Sequence, residues 1–200
     1  QTQRVGFVDY VVCGDAFLIN GQSNAVAGDY HQEGMANVDE SRWVRSYGSA
    51  TTSATEVVHD GRWHLADGLQ MYGPGSVGTW GLRAARLIAD RYQIPIALIN
   101  GAVGGTLVSQ HSRDDSYPEN LFTIYGRLLY RARKAGIDQT VRGILWHQGQ
   151  RPHPIGSPDS HVHCRTPIYS KANRVSRNPI QYLQTGLQIV LIGIYPVHSV

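Results

Sequence analysis

Three short apolar runs, each ending in a polar, glycine-bearing segment, constrain this chain more than anything else in it. Ala16-Phe-Leu-Ile-Asn20 stops at Gly21, Ile96-Ala-Leu-Ile99 runs into Asn100, and residues 141–146 meet His147-Gln-Gly-Gln150. Near-continuous apolar runs of this length suit strands buried on both faces. Helical patterns lie between them. Residues 80–92 set Leu82, Ala85, Leu87 and Ile88 near one another, and Pro95 enforces the exit. Residues 121–135 place Leu121, Ile124, Tyr125, Leu128, Leu129 and Ala132 on one face. Arg131, Arg133 and Lys134 crowd the last turn of that helix, where cations favour the dipole, and Gly136 is placed to cap it. The alternation predicts an α/β fold with a mostly parallel sheet covered by helices.

Ligands of such sheets bind beyond the carboxyl ends of the strands. Three segments fall there: Asn20-Gly-Gln-Ser-Asn24, Asn100-Gly-Ala-Val-Gly-Gly-Thr106 and His147-Gln-Gly-Gln150. Acyl transfer at a serine needs an exposed hydroxyl, a base, and donors aimed at the developing oxyanion. Ser23 follows a buried strand and a glycine, so it projects from the rim. Gly104 and Gly105 let backbone N–H groups approach a substrate oxygen, and Gln148 carries a side-chain amide donor. Each element alone has a plain reading as turn chemistry, packing or capping. Their convergence at successive strand ends favours the chemical one.

Gly21-Gln-Ser-Asn-Ala25 departs from the Gly-x-Ser-x-Gly elbow, because position 25 is Ala and the serine follows the first strand. Phe17-Leu-Ile-Asn-Gly-Gln-Ser-Asn24, Ile99-Asn-Gly-Ala-Val-Gly-Gly-Thr106 and Gly143-Ile-Leu-Trp-His-Gln-Gly149 resemble three blocks of the SGNH hydrolases. More narrowly they resemble the sialate O-acetylesterase-like and carbohydrate esterase family 6 group. The resemblance covers about residues 5–150. It implies a three-layer α/β/α sandwich and hydrolysis of sugar O-acetyl esters without metal or other cofactor. In it Ser23 matches the nucleophile, with its own N–H in the oxyanion hole. Gly105, or in second place Gly104, matches the oxyanion glycine, and Gln148 the residue replacing the usual asparagine. Gln22 and Asn24 flank the nucleophile and orient its loop. An acetylated carbohydrate is the implied substrate, and export to the periplasm or outside is implied by the resemblance alone. Residues 1–15 look like a junction from an upstream domain of larger relatives, 16–150 like the esterase core, and 151–200 like a divergent or truncated ending.

The pattern breaks after Gln150. The family continues with Glu, whereas this chain reads Gln150-Arg-Pro-His-Pro154, and no Asp-x-x-His follows. That pair supplies the base and its orienting acid in the family. Asp159, His161 and His163 have the wrong spacing, and His153 and His198 are no better placed. Composition shifts at the same point. Residues 151–200 hold five basic residues but one acid, and six of the nine prolines but three of the 22 glycines. A reading-frame change in the coding sequence would account for the shift, and so would a naturally divergent ending. Two alternatives to the esterase stay open: a non-catalytic carbohydrate-binding module, and an inactive truncated esterase with an unpaired sheet edge.

Other classes are disfavoured. The net charge is +3, with Arg scattered among acids and no basic stripe, so nucleic-acid binding is not suggested. No run approaches the roughly 18 apolar residues of a membrane helix. The longest, 187–197, is broken by Gly193 and Pro196 and reads as a buried strand. Cys13 and Cys164 permit one bridge or none. His161-Val-His163-Cys164 lacks the second half of a zinc pattern. His59, His64 and His111 show no ligand spacing. They are candidates to line a sugar groove with Trp43, Trp63, Trp80 and Tyr72, although packing or plain exposure is the default reading. Oligomeric state is not readable.

Overall fold

The computed structural model describes residues 13–29 and 36–148 and the backbone of 192–193. In chain order its strands are β1 (Asp15–Gly21), β2 (Val44–Tyr47), β3 (Ser49–Ala50), β4 (Trp63–Leu65), β5 (Gly73–Pro74), β6 (Ile96–Asn100), β7 (Val141–His147) and β8 (Ile192–Gly193). The helices are α1 (Ser23–Val26), α2 (Glu56–His59), α3 (Thr79–Tyr92) and α4 (Ile124–Lys134). One sheet runs β4-β2-β6-β1-β7-β8, and β3 and β5 form a small ribbon. β2, β6, β1 and β7 are mutually parallel, while β4 and β8 add antiparallel edges. The expected mostly parallel sheet is present, with its strands close to the expected spans. Of the expected strand at 187–197, the described residues include the two of β8. Asp159, His153, His161, His163, His198 and Cys164 lie outside the described residues.

The apolar runs form the core because both faces of the sheet are covered. On one face Ile19, Val44, Ile96, Leu98 and Leu145 pack with Leu82, Ala85 and Ala89 of α3. On the other, Leu18 and Ile99 pack with Leu128 and Ala132 of α4. These layers make a three-layer α/β/α sandwich. Gly81 lets α3 approach closely, since a Cβ there would lie 2.6 Å from Ile19 Cδ1.

One helix reading needs correction. Leu87 is not on the buried face of α3 but 53% exposed. It lies five residues beyond Leu82, well off the stripe that Leu82, Ala85 and Ala89 make. Arg131 stands in the last turn as expected and is buried there, 3% exposed. Its guanidinium donates to Tyr47 O (2.9 Å), Asn100 O (2.7 Å) and Gly48 O (3.3 Å). Burial lowers its pKa to about 10 despite the opposing pull of the Asp60 charge, so it stays protonated near neutrality. The α4 ends obey local chemistry. Thr123 caps the start, accepting from Gly126 N at 2.9 Å, so the helix begins after Leu121 rather than at it. At the other end Gly136 (φ +71) donates to Arg133 O and Ile137 N to Ala132 O, a Schellman cap as Gly136 led one to expect.

Candidate active site

β6, β1 and β7 are adjacent, with β1 in the centre, so their carboxyl ends open on one rim. The chain beyond each end is stitched to its neighbours. Gln22 N donates to His147 O (3.1 Å), Gly101 N to Ile19 O (2.9 Å) and Val103 N to Gly21 O (3.0 Å). Gly21 has φ +132, and a Cβ there would sit 2.1 Å from His147 O, so the turn admits no side chain.

Ser23 begins α1 directly after this turn and is exposed. Neither its hydroxyl nor its backbone N–H has a hydrogen-bond partner among the described residues. Across the rim, a Cβ placed on Gly104 would lie 3.8 Å from Ser23 Cβ. Gly104 N donates to the Tyr72 hydroxyl at 3.2 Å. Gly105 has φ +73, is exposed, and its N–H has no acceptor among the described residues. Gln148 joins the two segments: its Nε2 donates to Thr106 O (2.8 Å) and, at 3.3 Å, to Gln22 Oε1. The structure thus gathers all three strand ends around Ser23. The amide hydrogens expected to face an oxyanion are here directed at the loop. Gln22 Nε2 and Gln148 Oε1 are buried without partners among the described residues, leaving one donor and one acceptor uncommitted inside the site. Asn24 is exposed, and its carbonyl accepts from Trp80 Nε1 at 2.7 Å.

A buried polar framework holds the rim from below. Asn100 Nδ2 donates to Ala25 O (2.8 Å) and Val77 O (3.1 Å), while its Oδ1 accepts from Ala102 N (2.9 Å). His111 ties β1 to the glycine loop. Its Nδ1 donates to Asn20 Oδ1 at 2.9 Å, and its Nε2 lies 2.8 Å from Thr106 Oγ1. Asn20 Oδ1 also accepts from Gly21 N, which fixes that atom as oxygen and places the ring hydrogen on Nδ1. Burial lowers the His111 pKa to about 4, so the ring is neutral at pH 7 and Nε2 is an acceptor. The Thr106 hydroxyl then has two acceptors within reach, Nε2 and Val103 O at 2.7 Å. The ring also meets Trp146 edge-on at 5.2 Å.

His111 therefore neither lines a groove nor lies on the surface, and sequence reasoning missed its bracing position. Nothing in local spacing marks it, since Asn20 is 91 residues away. His64 is also committed, its Nε2 lying 2.8 Å from Asp60 Oδ1. Trp43 and Trp63 are exposed; Trp43 carries Arg42 over its ring, and Trp63 packs edge-on against Tyr47. Among the described residues no imidazole is hydrogen-bonded to Ser23.

The arrangement can present a nucleophilic oxygen beside two open backbone donors. The model of the family "carbohydrate esterase, sialic acid-specific acetylesterase" matches residues 13–153. Similar solved structures include a protein of Arabidopsis thaliana, with 18% identity, TM-score 0.45, and coverage of 68% of this chain and 58% of that one. Another is described as a novel carbohydrate acetylesterase from Xanthomonas citri, with 16% identity, TM-score 0.41, and coverage of 68% and 33%. The chain thus spans less than two thirds of either protein. No curated protein matches. With the family model extending over more than two thirds of its length and including all three strand ends, this chain belongs to the sialic acid-specific acetylesterase family of carbohydrate esterases.

Proposed function

We propose that the chain hydrolyses O-acetyl esters of carbohydrate, with Ser23 as nucleophile. One observation carries the reading: the exposed Ser23 side chain faces the Gly104–Gly105 loop at the carboxyl ends of three adjacent strands, with the N–H groups of Ser23 and Gly105 open. Ser23 Oγ attacks the acetyl carbonyl carbon and loses its proton to a base. The carbonyl oxygen becomes an oxyanion that accepts from those two N–H groups. The intermediate expels the sugar oxygen, which takes up a proton, and leaves acetyl-Ser23. Water then attacks the acyl carbon, releasing acetate and restoring the hydroxyl. Each well-aimed donor contributes about 3–4 kcal/mol to such a step. Gln148 in this scheme fixes the distance between the Ser23 turn and the glycine loop. Gln22 and Asn24 hold the turn itself, the first through Gln148 and the second through Trp80.

Replacing Ser23 by Ala is expected to lower p-nitrophenyl acetate hydrolysis by about 1,000-fold or more. A fluorophosphonate is expected to add to Ser23, read by mass spectrometry of the peptide. Unchanged turnover in the variant, or labelling elsewhere only, overturns the proposal.

A carbohydrate-binding module without turnover is the second reading. It is favoured by the missing Asp-x-x-His after residue 150 and by the lack of an imidazole bonded to Ser23 among the described residues. Saturable sugar binding with ester hydrolysis no faster than buffer selects it.

A further inference from the structure

We propose that the Tyr72 hydroxyl is a third donor to the oxyanion, passing on the hydrogen bond that it receives from Gly104 N. This rests on the esterase reading and deepens it at the same site.

The donors at the rim are unevenly committed. Gln148 Nε2 carries two hydrogens, and they are directed to Thr106 O (2.8 Å) and Gln22 Oε1 (3.3 Å). Gly104 N donates to Tyr72 at 3.2 Å. Among the described residues the N–H groups of Ser23 and Gly105 are left open. An alkoxide oxygen carries one lone pair more than the carbonyl oxygen it comes from. The transition state therefore accepts a hydrogen bond that the bound ester does not, and a donor for it favours the reaction selectively.

Tyr72 has the hydrogen to give. Among the described residues its hydroxyl makes one hydrogen bond, the one it accepts from Gly104 N, so its own hydrogen is uncommitted. The residue is exposed, within reach of a bound ester. A Cβ placed on Gly104 would lie 3.8 Å from Ser23 Cβ and 3.9 Å from the Tyr72 hydroxyl. Both groups thus border one space beside Gly104, which glycine leaves clear. The position of Tyr72 is set independently of substrate, because the next two residues pair with β3, Gly73 with Ala50 and Pro74 with Ser49. A hydroxyl that accepts one hydrogen bond is polarised by it and becomes the stronger donor. Gly104 N thereby acts on the oxyanion through Tyr72.

No proton is transferred at this position. Ser23 Oγ bonds to the acetyl carbon, and the π pair of the carbonyl moves onto its oxygen. Tyr72 holds that oxygen through its O–H and keeps the proton. The π bond then re-forms, the bond to the sugar oxygen breaks, and the hydrogen bond weakens again. Charge around Tyr72 is of both signs: Arg127 interacts with it, and Glu56, His59, Asp60 and Arg62 line the cleft that it walls. The assignment rests on the uncommitted hydrogen and its place, not on charge.

The test uses the full chain with p-nitrophenyl acetate and its thiono analogue, in which sulfur replaces the carbonyl oxygen. Sulfur is a weak acceptor, so a donor to this atom shows in the ratio of kcat/KM for the two esters. Neither ester carries a sugar, so contacts to carbohydrate do not enter. Tyr72→Phe is expected to lower kcat for the oxygen ester about 100-fold, as loss of one oxyanion donor does, with KM changed less than about threefold. The oxygen-to-sulfur ratio is expected to fall about tenfold or more. Tyr72→O-methyltyrosine keeps an oxygen to accept from Gly104 N but has no hydrogen to give, and the same fall is expected. Circular dichroism melting checks each fold, and the second variant carries the test should the first unfold. An unchanged ratio in either folded variant overturns the proposal; a fall in Tyr72→Phe only makes the hydroxyl an anchor for the glycine loop. Hydrolysis by the parent no faster than buffer, or hydrolysis that Ser23→Ala leaves unchanged, overturns the esterase reading and this proposal together.

Discussion

Against one face of the sheet, α3 lays Leu82, Ala85 and Ala89 on Ile19, Val44 and Leu98, and Asn100 ends that layer at the rim, donating to Ala25 O and Val77 O. On the other face, α4 drives the Arg131 guanidinium between the ends of β2 and β6, and His111 sits beside Trp146 under the glycine loop. Apolar burial is non-directional and sets how close the layers come. Hydrogen bonds are directional and set where a strand end stops. The carbonyls of Tyr47 and Asn100 and the side chain of Asn20 are all held from the α4 side. Apolar burial thus dominates on the α3 side, with Asn100 a polar contact at its rim, while the α4 side holds the ends of β2 and β6 by directed bonds.

The sharpest way to break this contrast is Arg131→Met, which keeps length and removes every donor. We expect a loss of about 3–5 kcal/mol in denaturant unfolding, because carbonyls arranged around a guanidinium lose their partner. Arg131→Lys is expected to recover little of it, since an ammonium lacks the spread of donors that meets three carbonyls at once. Leu82→Ala on the opposite face is expected to lose about 2–5 kcal/mol by leaving a cavity. It should leave labelling of Ser23 by a fluorophosphonate nearly unchanged in the folded protein. Equal slowing of labelling by both variants would erase the division of labour.

His111→Gln sharpens the comparison through pH. The folded ring has a pKa of about 4 against an ordinary 6.5, so the unfolded chain binds the extra proton in that interval. The stabilisation is complete above pH 6.5 and is lost progressively as pH falls towards 4. The slope of stability against pH should differ between parent and variant by up to about one proton across that window. Superimposable slopes would show that the ring is not held neutral by the fold. Asp60 works in the same sense at lower pH. Burial raises its pKa, but hydrogen bonds from Ser49 and His64 and the charges of His64 and Arg62 outweigh that and hold it below its ordinary value. The smallest effect belongs to Arg86→Ala on the outer surface of α3. Its pairing with Asp90 is exposed and expected to contribute under about 0.5 kcal/mol.

Much of the framework was legible because it depends on local rules. The strands around Ile19, Leu98 and Leu145 announce themselves by unbroken apolarity, and Thr123 and Gly136 act as a cap donor's partner and a left-handed stop. The burial of Arg131 did not show in the sequence because a cation in a last turn has the same local signature whether solvated or buried. Its spacing held the answer: Ile124, Leu128 and Arg131 stand at i, i+4 and i+7 on the face that packs inward. Leu87 shows the converse, an apolar residue off the stripe. At the rim, the nearness of the segments that follow β1, β6 and β7 followed from strand adjacency. The direction of the Gln148 amide did not, because it is set by Thr106 O and Gln22, whose placement depends on the loop fold.

The turn before Ser23 separates two kinds of constraint. At position 21 a neighbouring carbonyl leaves no space for a β-carbon, whatever the protein is used for. At position 23 the side chain looks outward, and nothing in the packing requires a hydroxyl. A randomised library sorted for solubility alone would therefore keep glycine at the first site and scatter at the second, and under the proposed role of Ser23 only sorting for turnover would return serine.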